Sequence, residues 1–92
     1  MADVEIEGMK EGDWVVVVYD SKCYPGQVTK VASDESVRVN VMRPCFPTGW
    51  KWPITKDEIF YKKESLVKKI NPPFPTDARG GWQFIDSILK DL

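Results

Sequence analysis

The 92 residues carry a net charge of −1, an apolar fraction of 42%, two cysteines and no histidine. A chain of this length makes one domain, and its four Trp, three Tyr and four Phe supply enough large side chains for a small dense core, which excludes a disordered chain. Two thiols without histidine would leave a tetrahedral zinc site half empty, no apolar run approaches the ~20 residues that cross a bilayer, and the acidic N-terminus has no signal-like apolar stretch, so no metal, no cofactor and no membrane are expected.

In chain order, residues 1–11 read as an acidic N-terminal arm. Gly12 then releases the chain into a β run, Trp14 to Tyr19, rich in β-branched and aromatic types. Asp20-Ser21-Lys22 is turn-like, and Tyr24 to Val31 reads as the return strand. After the polar turn Ala32 to Glu35, Ser36 to Met42 alternates cleanly. Val37, Val39 and Val41 face one way, and Arg38, Asn40 and Met42 the other. "RPCFPTGWKWP", Arg43 to Pro53, holds too many prolines for a long regular element, while Phe46, Trp50 and Trp52 are too apolar for an idle loop.

Ile59 to Tyr61 and Leu66 to Ile70 are short strand candidates joined by a lysine-rich turn. Residues 72–80 form a proline-rich strap, extended and polyproline-like, with Phe74 tucked beneath it. Past Gly80-Gly81 the apolar period changes. Trp82, Ile85, Ile88, Leu89 and Leu92 fall on one helical face, which predicts a helix over 81–92 packed on the rest of the domain. The fold expected is mostly β: a small five-stranded barrel over 12–71, closed by the strap and the C-terminal helix.

The charge is uneven. Residues 1–20 hold six acids against one base, and residues 22–79 hold eleven bases against six acids. That excess admits weak, salt-dependent contact with phosphates, for which Lys62, Lys63, Lys68 and Lys69 are the candidates. The same lysines equally read as a solvated sheet edge. Cys23, placed in the turn, and Cys45, in the Pro-flanked loop, are expected as free thiols in a reducing compartment.

"GDWVVVVYDSKCYPGQVTKV" followed by "SVRVNVM", and later "DEIFYKKESLVKKINPP", resemble a Tudor-like domain of the chromatin-reader superfamily, over roughly residues 12–73. The resemblance implies an SH3-like five-stranded barrel with a short helical turn before its last strand. It also implies an aromatic cage for methylated lysine or arginine, with Tyr19 and Tyr24 on its first two walls. Many members carry an aromatic at the end of the third strand, where this chain has Met42. Phe46, Trp50 and Trp52 are the candidates for the remaining walls, and Asp20 or Asp57, beside Glu58, for an acidic rim.

A quaternary ammonium is served by ring faces rather than by hydrogen bonds, so this set suits that cation. Alternatively Trp52, with Trp14 and Phe60, reads as core, and Tyr61 as covering an edge. The function implied is that of a non-catalytic recognition module for a methylated basic peptide such as a histone tail, in the nucleus or cytoplasm. The alternatives are a nucleic-acid-binding barrel and an adaptor without a modified-residue ligand. Without histidine, a phosphate loop or a nucleophile beside a base, no enzyme is expected.

Overall fold

The fold was obtained as a computed structural model, and it describes residues 8–32, 36–44, 49–75 and 81–85. Among these residues the strands in chain order are β1 (Trp14–Tyr19), β2 (Lys22–Val31), β3 (Ser36–Val41), β4 (Arg43–Pro44), β5 (Trp50–Lys51), β6 (Glu58–Lys62), β7 (Leu66–Ile70), β8 (Phe74–Pro75) and β9 (Trp82–Gln83). They make two antiparallel sheets. One has five strands in the order β6-β3-β2-β1-β7, and the other has four short ones in the order β4-β5-β9-β8. The domain is thus mostly β, and each of the five longer strands overlaps a strand expected from the sequence.

The larger sheet is strongly curled. Its edges are β6 and β7, yet only a single 3-10 turn, Lys63–Ser65, separates them in the chain. A flat sheet of this width would hold its edges ~19 Å apart at ~4.8 Å per strand. The link from Lys62 to Leu66 reaches at most ~14 Å even when extended. Register shifts at Val16/Val17 against β7 and at Val28/Lys30 against β3 supply the local bends.

Curling gives the sheet an inside and an outside, and both are buried along β1. Val15 and Val17 point inward with Val28, Val37, Val39 and Leu66. Val16 points outward, into a second cluster with Cys23, Met42, Trp50 and Ile70. Four consecutive valines therefore answer to two cores, one on each face of the strand. The smaller sheet covers the outer face, and all four tryptophans of the chain (Trp14, Trp50, Trp52 and Trp82) meet there. Trp14 packs at 5.8 Å from Trp52 and edge-on at 5.8 Å from Phe84.

Several expectations are corrected. The chain around Trp82 is extended, because Trp82 pairs with Trp50 and with Pro75 rather than opening a helix. Ile85, expected on the buried helical face, is 80% exposed. The rest of the expected helix, residues 86–92, lies outside the described residues. Residues 43–53 and the proline-rich strap contribute strands to the smaller sheet, and Phe74 is exposed rather than tucked in. Phe60 is 49% exposed, since Glu58, Phe60 and Lys62 share the outward parity of β6. At the N-terminal end Met9 is buried in the inner core, and the Gly12 N–H donates to the Val28 carbonyl at 2.8 Å, so the arm is anchored before residue 11. Cys23 lies buried in β2 rather than in the turn.

At two of the described glycines an added Cβ would press on neighbouring backbone. Gly49 has φ +96°, and a Cβ there would sit 2.9 Å from the Trp82 carbonyl oxygen. At Gly26, where β2 crosses closest to β3, a Cβ would fall 2.5 Å from Val39 Cγ1 and 2.8 Å from the Asn40 carbonyl oxygen. Next to it Pro25 tolerates a central strand because it lies at the end of the β2–β3 ladder, where it still accepts from the Met42 N–H at 2.9 Å. Replacing Gly26 with alanine forces backbone apart from backbone. Gly26→Ala is expected to lower unfolding free energy by roughly 1–3 kcal/mol, the usual range for an overpacked core site. Urea unfolding checks it, and an unchanged midpoint would mean that the two strands yield.

Candidate functional site

The first hairpin closes on the pair Tyr19 and Lys22, which leaves a two-residue turn, Asp20 and Ser21. Both have left-handed backbone, φ 54° and φ 65°, the geometry whose twist matches the flanking strands and which ordinarily selects Asn-Gly. Holding two residues with side chains there costs about 1–2 kcal/mol each. The tight turn fixes the register. Tyr24 lies opposite Val17, and Tyr19 follows Val17 by two residues, so both rings project to the inner face at the hairpin end.

There they meet side chains from β3 and β6. Tyr19, Tyr24, Val41, Arg43, Asp57, Ile59 and Tyr61 line a cavity of about 180 Å³ at the end of the inner core. All three tyrosines of the chain are in it. Their burial is graded: Tyr61 is 6% exposed and belongs to the core, Tyr24 is half-buried, and Tyr19 is 58% exposed at the lip. Volumes near ~150 Å³ accept benzene in an apolar core, so this cavity suits one side-chain head group and is smaller than the ~300–1,000 Å³ of drug-sized ligand sites.

Asp57 is brought to the rim by its backbone. Its carbonyl accepts from the Val41 N–H at 2.9 Å, which docks the residue before β6 onto the end of β3. Its Oδ2 accepts from Arg43 Nη2 at 2.9 Å. The neighbouring acid faces away, as neighbours in a strand must. Glu58 lies on the outer face, 3.2 Å from Arg38 Nε and 3.6 Å from Lys56 Nζ. A hydrogen bond from Thr29 lowers the Glu58 carboxyl pKa against the upward push of burial, and the Arg38 and Lys56 charges add to the lowering. Burial pushes the Tyr61 phenol up to about 12, with the Asp57 carboxylate adding to that push. Tyr61 is therefore neutral at any ordinary pH.

Of the five cage candidates, Tyr19 and Tyr24 line the cavity. Trp50 and Trp52 do not: Trp50 is buried on the opposite face of the sheet with Val16 and Met42, and Trp52 packs on Trp14. Met42, fully buried beside Trp50, explains why no aromatic stands at the end of the third strand pointing at the cavity. Phe46 and Cys45 lie outside the described residues. Asp57 is at the rim, whereas Asp20 is exposed in the turn and does not line the cavity. Lys62 and Lys63 sit at the end of β6 and in the 3-10 turn, while Lys68 and Lys69 are further along β7, with Lys69 held 3.3 Å from Asp13. The four lysines are thus divided between the two edge strands and the turn that joins them.

Sequence reasoning missed Tyr61, Arg43, Val41 and Ile59 as cavity residues. The signal for Tyr61 was present. Polar Glu58 and Lys62 flank Phe60 at a spacing of two, which turns Ile59 and Tyr61 inward. Comparison with family models, with curated proteins and with solved structures gives no match to this chain.

The raised Tyr61 pKa has a consequence for stability. An unfolded tyrosine ionises near 10, below the folded value of about 12. The stabilisation is complete below pH 10 and is lost as pH rises from about 10 to 12, because the unfolded chain gives up the proton more readily. Thermal melts should fall steeply over that window, and Tyr61→Phe should blunt the fall. Equal slopes for the two proteins would mean that the Tyr61 hydroxyl is not buried as described.

Proposed function

We propose that the curled sheet is an SH3-like barrel of the Tudor-like kind, and that the cavity at its mouth captures a methylated lysine or arginine presented by a basic peptide. The observation that carries this reading is the convergence of Tyr19, Tyr24 and Tyr61 with Asp57 on one cavity of side-chain size. Support for the barrel comes from the strand order, with β7 returning to β1, and from the 3-10 turn between the last two long strands.

Three phenol rings present electron-rich faces to a cation that water solvates poorly, and Asp57 adds a negative charge at the rim. The floor of Val41 and Ile59 gives methyl groups an apolar surface. The six acids in residues 1–20 favour a basic peptide over a nucleic acid, whose phosphates they repel. A histone tail, and hence a nuclear role, is the natural ligand class under this reading. The dispersed lysines, one of them tied to Asp13, make a weaker case for a phosphate track.

Each ring–cation contact is worth about 0.5–2 kcal/mol, so three support micromolar rather than nanomolar affinity. Titrating a basic peptide that carries trimethyllysine should shift the ring resonances of Tyr19, Tyr24 and Tyr61. Tyr19→Ala, at the exposed lip, should weaken binding roughly 2- to 30-fold on the same contact energies, with the melting temperature almost unchanged. Tyr24→Ala should remove most binding. If no methylated peptide shifts these rings while a nucleic acid or an unmodified partner binds elsewhere, the cage reading is wrong.

A further inference from the structure

The rim of the cavity holds two opposite charges already joined to each other. Arg43 Nη2 donates to Asp57 Oδ2 at 2.9 Å, and both residues line the cavity that the three tyrosines form. We infer that Arg43 is a specificity-determining residue: by engaging Asp57 Oδ2 and setting its own positive charge beside it, it weakens the rim carboxylate as an acceptor for the ligand and tilts the cavity toward a quaternary ammonium over ammonium groups that keep an N–H. The inference rests on the reading of this cavity as a cation site and specifies its ligand.

The chemistry of the two ligand classes makes the difference. A trimethylammonium has no N–H, so it gains only from ring faces and apolar contact, and a pre-engaged carboxylate takes no hydrogen bond from it. A mono- or dimethylammonium enters with N–H donors that leave water and need an acceptor, and a donor left unmatched is penalised. Asp57 is the carboxylate at this cavity, and its Oδ2 is held by a guanidinium that also repels an incoming cation.

The position of Arg43 is set by the fold. It directly follows Met42, whose side chain is fixed in the outer core, and it pairs with Lys51 in the smaller sheet. Asp57 is fixed by the Val41 N–H. The two partners are therefore presented to each other by anchored backbone on both sides. The pair is half-exposed, so the hold is modest and the discrimination it produces is a matter of several-fold rather than of thousands.

The test compares one basic peptide carrying a single lysine in mono-, di- or trimethylated form, titrated into the wild-type chain, Arg43→Met, Asp57→Asn and the double variant. Methionine keeps much of the length of the side chain without its charge or donors. In the wild type, trimethyllysine should bind at least as tightly as the lower states. Arg43→Met should tighten all three, and the lower states by ~3- to 10-fold more than the trimethylated one, the scale of a charge-assisted hydrogen bond regained in a partly exposed site. In the Asp57→Asn background the same change should leave the ratio between methylation states unaltered. Binding with a ratio that Arg43→Met does not move would overturn the inference and leave the cation site standing. A ratio that moves equally with and without Asp57 would also overturn it, since the carboxylate would not be involved. If none of the four proteins binds any methylated form, the cation reading itself fails and takes the inference with it.

Discussion

Everything in this domain depends on β1 being buried on both faces. A strand at the surface of a sheet alternates apolar with polar residues, whereas Trp14 to Val18 is apolar throughout. The inward valines are covered when the sheet curls upon itself, and the outward ones need a second cover. The smaller sheet is that cover, assembled from three separate parts of the chain: the segment after β3, the proline-rich segment and the residues around Trp82. Among the described residues none of its strands exceeds two residues. It is held by the tryptophans it lays on β1 and β2.

Double burial also explains how the aromatic residues are sorted. The four tryptophans are used on the outer face, where large rigid surfaces fill the space between the sheets. The three tyrosines gather where the inner core opens to solvent, a place that suits a ring with one polar end. Tyr24 is the joint between the two, packed against both clusters. A tyrosine at that position connects the floor of the cavity to the rest of the domain, and a tyrosine at the lip, such as Tyr19, does not.

The longer strands were legible because their signals are local. Val37, Val39 and Val41 alternate, Tyr19 and Tyr24 flank a polar turn, and the run from Leu66 to Ile70 is short and bounded. The smaller sheet was not legible, because pairs such as Trp50 with Trp82 join residues far apart in the chain, and Trp82 reads as helical from its neighbours alone. The same blindness produced the errors at the site. The sequence leaves Trp50 and Trp52 open between cage wall and packing, because which face of a strand a loop residue covers is decided by the sheet that forms around it, and here both pack on the outer face. Asp57 was legible as an acid, Tyr61 reads as an edge residue although the polar spacing around it points inward, and the meeting of Arg43 with Asp57 required the fold.

The site that results is preorganised more than it is large. Its walls come from the hairpin end, from β3 and from β6, and the register of these strands is fixed by backbone ladders and by Gly26 at the closest crossing. The strained turn at Asp20 and Ser21 is maintained by the pairing on either side of it, which fixes the backbone positions of Tyr19 and Tyr24. Under the proposed reading, backbone fixed in this way limits the conformational entropy lost on binding, which matters when the contacts themselves are few. Under the same reading, the discrimination available to such a site lies in its rim, where Arg43 and Asp57 are paired and together set how much negative charge the cavity presents.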